Sequence, residues 1–266
     1  MKVPVYDIQG KENGDIKLGK AFSRPLREDI IKRAFLAEIS VKRQPYGTDP
    51  VAGQRSSARY KGRRKTRNSM MNREIARSKR IIAGGYMHFR SRIVPQAVKG
   101  RRAHPPKAWK IWEIKVNKKE RLHALLSAIS STADRNLVLA RGHKIGELKH
   151  VPLVLDDKVS ELKKTGEVEQ MLLALGLEKE IERCSLKKTR AGRGKTRGRR
   201  TIKRKGPLLV VAEDKGILKA ARNIPGVDVS IASKLSLELL APGSHPGRLT
   251  LWSKSAAEQV EKLVSG

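Results

Sequence analysis

The stretch from Pro45 to Pro106, PYGTDPVAGQRSSARYKGRRKTRNSMMNREIARSKRIIAGGYMHFRSRIVPQAVKGRRAHPP, is long, strongly basic and poor in aliphatic residues. It carries Arg55, Arg59, Lys61, Arg63, Arg64, Lys65, Arg67, Arg73, Arg77, Lys79, Arg80, Arg90, Arg92, Lys99, Arg101 and Arg102, against only Asp49 and Glu74. A compact domain rarely holds a connection longer than ~12–15 residues, so one of about 60 is either functional or disordered. Its few apolar residues, such as Ile81, Ile82, Phe89 and Ile93, cannot offset the roughly 1–2 kcal/mol per residue that backbone ordering costs. An external partner must order it. A polyanion fits, because dense Arg and Lys neutralise phosphates and release counterions. At ~3.3 Å per extended residue, two antiparallel legs of about 30 residues reach at most on the order of 100 Å, enough to thread into a large RNA.

The charge is not spread evenly over the 266 residues. The chain holds 59 Lys plus Arg against 26 Asp plus Glu, a net +33; residues 42–110 carry about +18, residues 187–205 about +11, and the remainder near +4. That is an almost neutral domain with two basic appendages, and concentrated blocks imply two docking segments. Cys184 is the single cysteine, which forbids an internal disulfide and fits a reducing compartment. It reads better as a small half-buried hydrophobe than as a reactive thiol. No apolar run approaches the ~18 residues needed to span a bilayer, and MKVPVYDIQGKENG lacks the apolar core of a signal peptide, so a cytoplasmic protein without a membrane partner is expected.

Outside the basic blocks, strands and helices alternate. Val3–Ile8 reads as a strand, Gln9–Gly19 as a glycine-rich turn region, and Arg27–Ser40 as a helix after Pro25. Trp109 and Trp112 mark the return from the basic stretch and read equally as rings pinning its base or as ordinary core. Lys119–Ala133 is a second helix with Asn117 available as a cap. Leu137–Ala140 and Val151–Leu155 have strand length. Glu167–Leu175 is a helix stopped by Gly176, and Glu178–Ser185 another. PLLVVAED after Gly206, VDVSI after Gly226 and LTLW at 249–252 read as strands. Lys215–Asn223 and Leu235–Leu239 read as helices, and Ser255 with Glu258 as the capping box of a final helix, Ala256–Val264. The fold class is α/β: a mainly parallel sheet with helices on both faces, interrupted by a long extended basic arm. Residues 1–44 and 107–266 form the globular domain, 45–106 the arm, and 187–205 a basic loop within the domain.

That second block, KKTRAGRGKTRGRRTIKRK, has no acid. Gly192, Gly194 and Gly198 let a partner approach the backbone, and Lys187, Lys188, Arg190, Arg193, Lys195, Arg197, Arg199 and Arg200 supply the charge. A solvated charge run is the bland alternative. Its GKT at 194–196 is not a phosphate loop, because the glycine required five positions before Gly194 is replaced by Thr189. The dinucleotide fingerprint fails too, since Gly198 stands where position 197 should be glycine. None of His88, His104, His123, His143, His150 and His245 has metal-site spacing, so no metal or other cofactor is expected. Asp156 and Asp157 are adjacent and would point to opposite faces of a strand. With Glu213 and Asp214 they fall at strand carboxyl ends, where α/β sheets bind small ligands, and no catalytic constellation can be assembled from the sequence. Tyr46, Tyr60, Tyr86 and Phe89 are too sparse for a sequence-reading platform, which favours phosphate contact and RNA shape.

The opening strand and helix, DPVAGQRSSARYKGRRKTR in the arm, the return WEIKVNKKERLHALLSAI, and AGRGKTRGRRTIKRKGPLLVVAEDKGILKAARNIPGVDV together resemble the large-subunit ribosomal protein four family. The resemblance covers essentially the whole chain. A chain ending soon after the domain, without the long tail of eukaryotic relatives, resembles the archaeal form. The resemblance implies a non-enzymatic structural constituent of the large ribosomal subunit, with a globular domain on its outer face and an arm penetrating the ribosomal RNA core. It implies as partners large-subunit rRNA, neighbouring ribosomal proteins and the nascent peptide at the exit-tunnel constriction. Carried onto this sequence, the tunnel-facing tip is Lys61, Gly62, Arg63, Arg64, Lys65, Thr66, Arg67 and Asn68, and the block at 187–205 is a second rRNA anchor. Two rivals remain: an RNA-modifying enzyme with a cofactor at the strand ends, and a chromosomal architectural protein.

Overall fold

The computed structural model describes residues 1–146, 148 and 150–265. Two compact units emerge: Met1–Lys42 with Glu113–Gly266, and Arg43–Trp112. In chain order the first unit holds β1 (Lys2–Tyr6), β2 (Glu12–Lys17), α1 (Glu28–Val41), α2 (Lys118–Ser131), α3 (Arg135–Ala140), β3 (Leu153–Leu155), α4 (Thr165–Ala174) and α5 (Glu178–Ser185). It continues with β4 (Lys188–Thr189), β5 (Thr201–Ile202), β6 (Leu208–Val211), α6 (Ile217–Ala221), β7 (Asp228–Ile231), α7 (Leu237–Leu240), β8 (Thr250–Ser253) and α8 (Lys254–Ser265).

Six strands form one sheet in the order β2-β1-β3-β8-β6-β7, parallel throughout except for the antiparallel β1–β2 pair. Strands buried on both faces must be apolar at every position, and LVL of β3 and LLVV of β6 are. Their alternate side chains serve two cores. Val154, Leu208, Val210 and Trp252 face a cluster with Ile31 of α1, Leu126 and Ile129 of α2, and Val260 of α8. Leu153, Leu155, Leu209, Val211 and Leu251 face the other, with Val138 of α3, Val168 and Met171 of α4, and Ile217 of α6. Trp252 is fully buried in the first cluster. Its ring meets Phe22 edge-on at 5.4 Å, and its Nε1 donates to Thr250 Oγ1 at 3.0 Å.

Several local expectations need correction. The supposed turn region at 9–19 contains β2, whose ENGDIK is almost wholly exposed; it is an edge strand, where polar residues guard an open ladder. Leu137–Ala140 is not a strand but part of α3, because the Asp134 carboxylate accepts from Asn136 N at 2.8 Å and opens a helical turn. Asn117 occupies the N-cap position of α2, yet its side chain makes no cap bond. The final helix begins at Lys254, and Ser253 Oγ accepts from Ala256 N at 3.3 Å. Ser255, expected as the cap, instead bonds the Asp157 carboxylate through its amide and its hydroxyl. Gly176 ends α4 in the left-handed conformation, φ 75°, as its position predicted.

Cys184 is buried at the end of α5, where burial pushes its thiol pKa up. It packs against two glycines of the loop-to-strand passage. A Cβ at Gly206 would stand 2.6 Å from Cys184 Sγ and 3.1 Å from the Gly226 carbonyl oxygen. Gly206→Ala is expected to lower the stability of the full chain in urea by about 1–3 kcal/mol. Adding Cys184→Ala should return part of that loss and not all, because the Gly226 carbonyl remains; purely additive losses would show that the sulfur is not the obstacle.

Candidate nucleic-acid interface

The unit Arg43–Trp112 holds one 3-10 turn, Gly85–Met87, and no longer regular element. Only Ala58, Ser69 and Met70 are buried within it, so apolar packing cannot hold it. Backbone pairing does part of that work. Thr48 N donates to Pro106 O at 3.1 Å, and a Cβ at Gly53 would lie 2.7 Å from Arg101 Cα, so the two legs run in close contact. Farther along, Arg59 pairs with Arg80, and Arg80 with Ser91, both antiparallel. The chain therefore folds back twice around Arg80 instead of forming the single long hairpin of the sequence reading. Two loops result, 60–79 and 81–90. Left-handed Lys65, Asn68 and Asn72, with φ of 52°, 62° and 57°, turn the first of them.

The predicted basic residues divide by what their side chains do. Arg80 donates to Phe89 O at 2.9 Å and to Ala76 O at 3.1 Å, and Arg92 to Val98 O at 3.1 Å and Lys99 O at 3.3 Å. These two guanidiniums staple the chain to itself. Lys61 Nζ reaches Arg67 O at 2.7 Å, and Met70 N donates to Lys61 O at 2.9 Å, which closes the loop bearing Gly62, Thr66 and Asn68. Arg63, Arg64, Lys65 and Arg67 stand exposed on that loop. Arg59, Arg77, Lys79, Lys99 and Arg102 are also exposed, whereas Arg101 is half-buried. Arg55 pairs with Asp49, Arg73 lies 4.5 Å over the Phe89 ring, and Arg90 5.1 Å over Tyr86.

The second block is a small hairpin. β4 and β5 pair antiparallel, Lys188 opposite Ile202 and Thr189 opposite Thr201. Arg190 N donates to Arg200 O at 2.8 Å, and Gly194 O accepts from Arg197 N and Arg199 N at 3.2 and 3.0 Å. Gly192 and Gly198 adopt φ of 74° and 77°, conformations that a Cβ would strain. Lys187, Lys188, Arg193, Lys195, Arg197, Arg199 and Arg200 are exposed, while Arg190 turns its Nε to Arg199 O at 3.0 Å.

A buried ion network fixes the root of this hairpin. Glu180, fully buried, accepts from Arg183 Nε at 2.8 Å, Arg183 Nη2 at 2.6 Å, His143 Nδ1 at 2.6 Å and Lys144 N at 2.9 Å. Arg183 Nη2 also donates to Lys205 O at 2.7 Å. Arg248, fully buried, donates to Gly206 O at 2.8 Å and to Asp228 at 2.7 Å, and Lys205 Nζ meets the same carboxylate oxygen at 2.9 Å. Burial alone would raise the Glu180 pKa, but the Arg183, His143 and Lys144 donors outweigh it and hold it at about 2. Burial pushes His143 below its ordinary value against the pull of Glu180. Asp228 is likewise held low, because Arg248 and Lys205 outweigh its burial.

Three of the four strand-end carboxylates are spent on local structure. Asp156 Oδ1 accepts from Asp157 N, Asp157 binds Ser255, and Asp214 Oδ1 accepts from Gly216 N and Leu218 N. Among the described residues no group of His, Cys, Asp and Glu has the arrangement to hold a metal ion, and no helix is long and apolar enough to cross a membrane. Sequence reasoning missed the anchoring set Glu180, Arg183, Asp228 and Arg248, in which the α5 pair Glu180–Arg183 stands far in the chain from Asp228 and Arg248. Arg43, Lys107 and Lys110 also belong to the basic unit but lie just outside the predicted arm.

A model of the ribosomal protein L4/L1 family matches residues 16–263. The large ribosomal subunit protein uL4 of Nanoarchaeum equitans is 48% identical over 266 residues, covering 98% of both chains. The proteins of the same description from Archaeoglobus fulgidus and Methanopyrus kandleri are 45% and 44% identical, over 97% and 99% of both chains.

Glu180→Gln leaves Arg183 and His143 without their buried anion and is expected to cost about 3–5 kcal/mol at neutral pH. A depressed carboxylate pKa contributes stability above its ordinary value of 4.5 that is lost as pH falls through about 2. His143, lowered from 6.5, adds a loss that begins as pH falls below that value. Denaturation across pH should therefore show a steep acid limb between pH 4.5 and 2 in the parent chain and a shallower one in the variant.

Proposed function

Because the chain belongs to the ribosomal protein L4/L1 family, and to its archaeal type, we propose that its arm and its basic hairpin bind large-subunit rRNA within the ribosome. The protein itself is a non-enzymatic structural component of the large ribosomal subunit in the cytoplasm. The observation that carries the finer reading is the basic unit's lack of a core: cations dominate it, few side chains are buried, and its backbone is held by isolated pairings. Such a unit gains little by standing in water, and it gains most where phosphates of crowded RNA helices replace its counterions.

The arm at 45–106 is the penetrating element, and 187–205 is a second anchor on the globular domain at 1–44 and 107–266. Arg55, Arg59, Arg63, Arg64, Arg67, Arg73, Arg77 and Arg90, with Lys65, Lys79 and Lys99, grip phosphates along the arm; Arg193, Arg197, Arg199 and Arg200 do so on the hairpin. Arg80 and Arg92 shape the arm through its own carbonyls and contribute field more than contact. The closed loop from Lys61 to Asn68 is the tip that faces the nascent peptide in the exit tunnel. What supports that assignment is its outward cluster of Arg63, Arg64, Lys65 and Arg67 on a backbone fixed by the Lys61–Met70 closure. The arm thereby supports subunit assembly, and neighbouring ribosomal proteins meet the nearly neutral domain surface.

Replacing Arg63, Arg64 and Arg67 together with Ala should leave urea denaturation of the globular domain unchanged. It should reduce incorporation into large subunits and lower the log–log salt slope of rRNA binding by about 2. Sedimentation at high salt and mapped protein–RNA cross-links provide the check. A parent chain that stays in the soluble fraction, or cross-links only to transfer RNA or DNA, would overturn the rRNA reading.

A further inference from the structure

The three tryptophans have different surroundings. Trp252 is fully buried in the globular core. Trp112 is covered within the basic unit: the Arg43 guanidinium lies 3.7 Å from its ring centroid, the Lys110 ammonium 4.4 Å, and the Tyr46 ring stacks on it at 5.7 Å with planes 16° apart. Trp109 is 70% exposed, with the Lys107 ammonium 5.5 Å from its ring centroid. A groove of about 490 Å³ runs beside it, lined also by Tyr46 and Trp112, by two prolines, and by Arg102, His104, Lys107 and Lys110, with no acidic residue.

A large bare ring among cations narrows the choice of occupant. An apolar protein surface covering Trp109 would strip water from Arg102, Lys107 and Lys110 without supplying countercharge, which is costly. An unpaired nucleotide carries a flat π face and a phosphate within one residue, so it answers both halves of the groove. Bases inside an RNA duplex have no free face to offer, so the nucleotide must lie in a loop, bulge or end.

We propose that Trp109 is a base-stacking site for one unpaired nucleotide of large-subunit rRNA, with Lys107 and Arg102 holding its flanking phosphates. This rests on the reading of the chain as an rRNA binder and specifies where that binding reads a base instead of a backbone. Trp112 has a different job: its stack with Tyr46 joins the two legs of the arm. Both rings line the groove, but Trp112 is taken up by Tyr46 and Arg43 while Trp109 stands exposed.

The full chain should be titrated with large-subunit rRNA across salt, and base reactivity toward permanganate and diethylpyrocarbonate, which attack unstacked pyrimidines and purines, should be mapped in each complex. Trp109→Ala is expected to weaken binding about 5- to 150-fold with an unchanged salt slope, since the lost contact is uncharged. One or two nucleotides should become reactive, and Trp109→Phe should keep them largely protected. Lys107→Ala should instead lower the salt slope by about 1. Affinity equal to the parent's, a loss that comes through the salt slope, or an unchanged reactivity map would overturn the stacking site. Failure of the parent chain to bind rRNA at all would overturn the broader reading instead.

Discussion

Like-charge repulsion is the constraint to which the rest of this molecule answers. A chain with 59 cationic and 26 acidic side chains cannot distribute its excess through a packed domain without losing stability to its own field. The solution is segregation. The sheet and its two cores are built from a nearly neutral part of the chain, while the excess is exported to the unit Arg43–Trp112 and to the hairpin around β4 and β5. At the hairpin the junction is chemically explicit. Arg183 binds the Lys205 carbonyl, Arg248 the Gly206 carbonyl, and Asp228 takes the charges of both Lys205 and Arg248. Acids are scarce in this sequence, and two of them, Glu180 and Asp228, are placed where the basic segment enters the fold. A removed partner there leaves a buried charge unpaired, so the network is expensive to break even where its net contribution is small.

The same economy governs the arm. With three buried residues it has no core to define a fold, so its shape comes from bonds between its own backbone and its own guanidiniums. Arg80 is the hub. Its main chain pairs with both Arg59 and Ser91, and its side chain reaches carbonyls of Ala76 and Phe89. Residues that look identical in the sequence thus take opposite roles, some turned inward to carbonyls and others outward to solvent.

How far the sequence reveals this depends on the range of the interactions. Parallel strands buried on both faces show themselves as LLVV and LTLW, and Gly176 ends its helix where a left-handed residue is needed. The two basic blocks are plain from charge alone, and the whole-chain resemblance identified the family. What was not legible depends on partners distant in the chain or on polar backbone pairing. β2 is a solvated edge strand with no apolar alternation, and α3 is a single capped turn and a half within a run that could equally extend. The Glu180 network joins residues 143, 180, 183, 205, 228 and 248, a set that no local spacing announces. Double folding around Arg80 was hidden because isolated bridges between arginines carry no hydrophobic signature.

Arginine rather than lysine at position 80 follows from that geometry. One planar guanidinium sends Nη1 to Phe89 O and Nη2 to Ala76 O, two carbonyls on different passes of the chain. A lysine ammonium is a compact, strongly hydrated charge that cannot span both acceptors with fixed direction. The charge of such a residue is not neutralised by the carbonyls it binds, so every internal staple still adds to the positive field of the arm. The arm is consequently shaped by the same groups that give it its charge. Organisation and charge need not compete for residues, and this lets a segment with almost no core present a defined cationic surface.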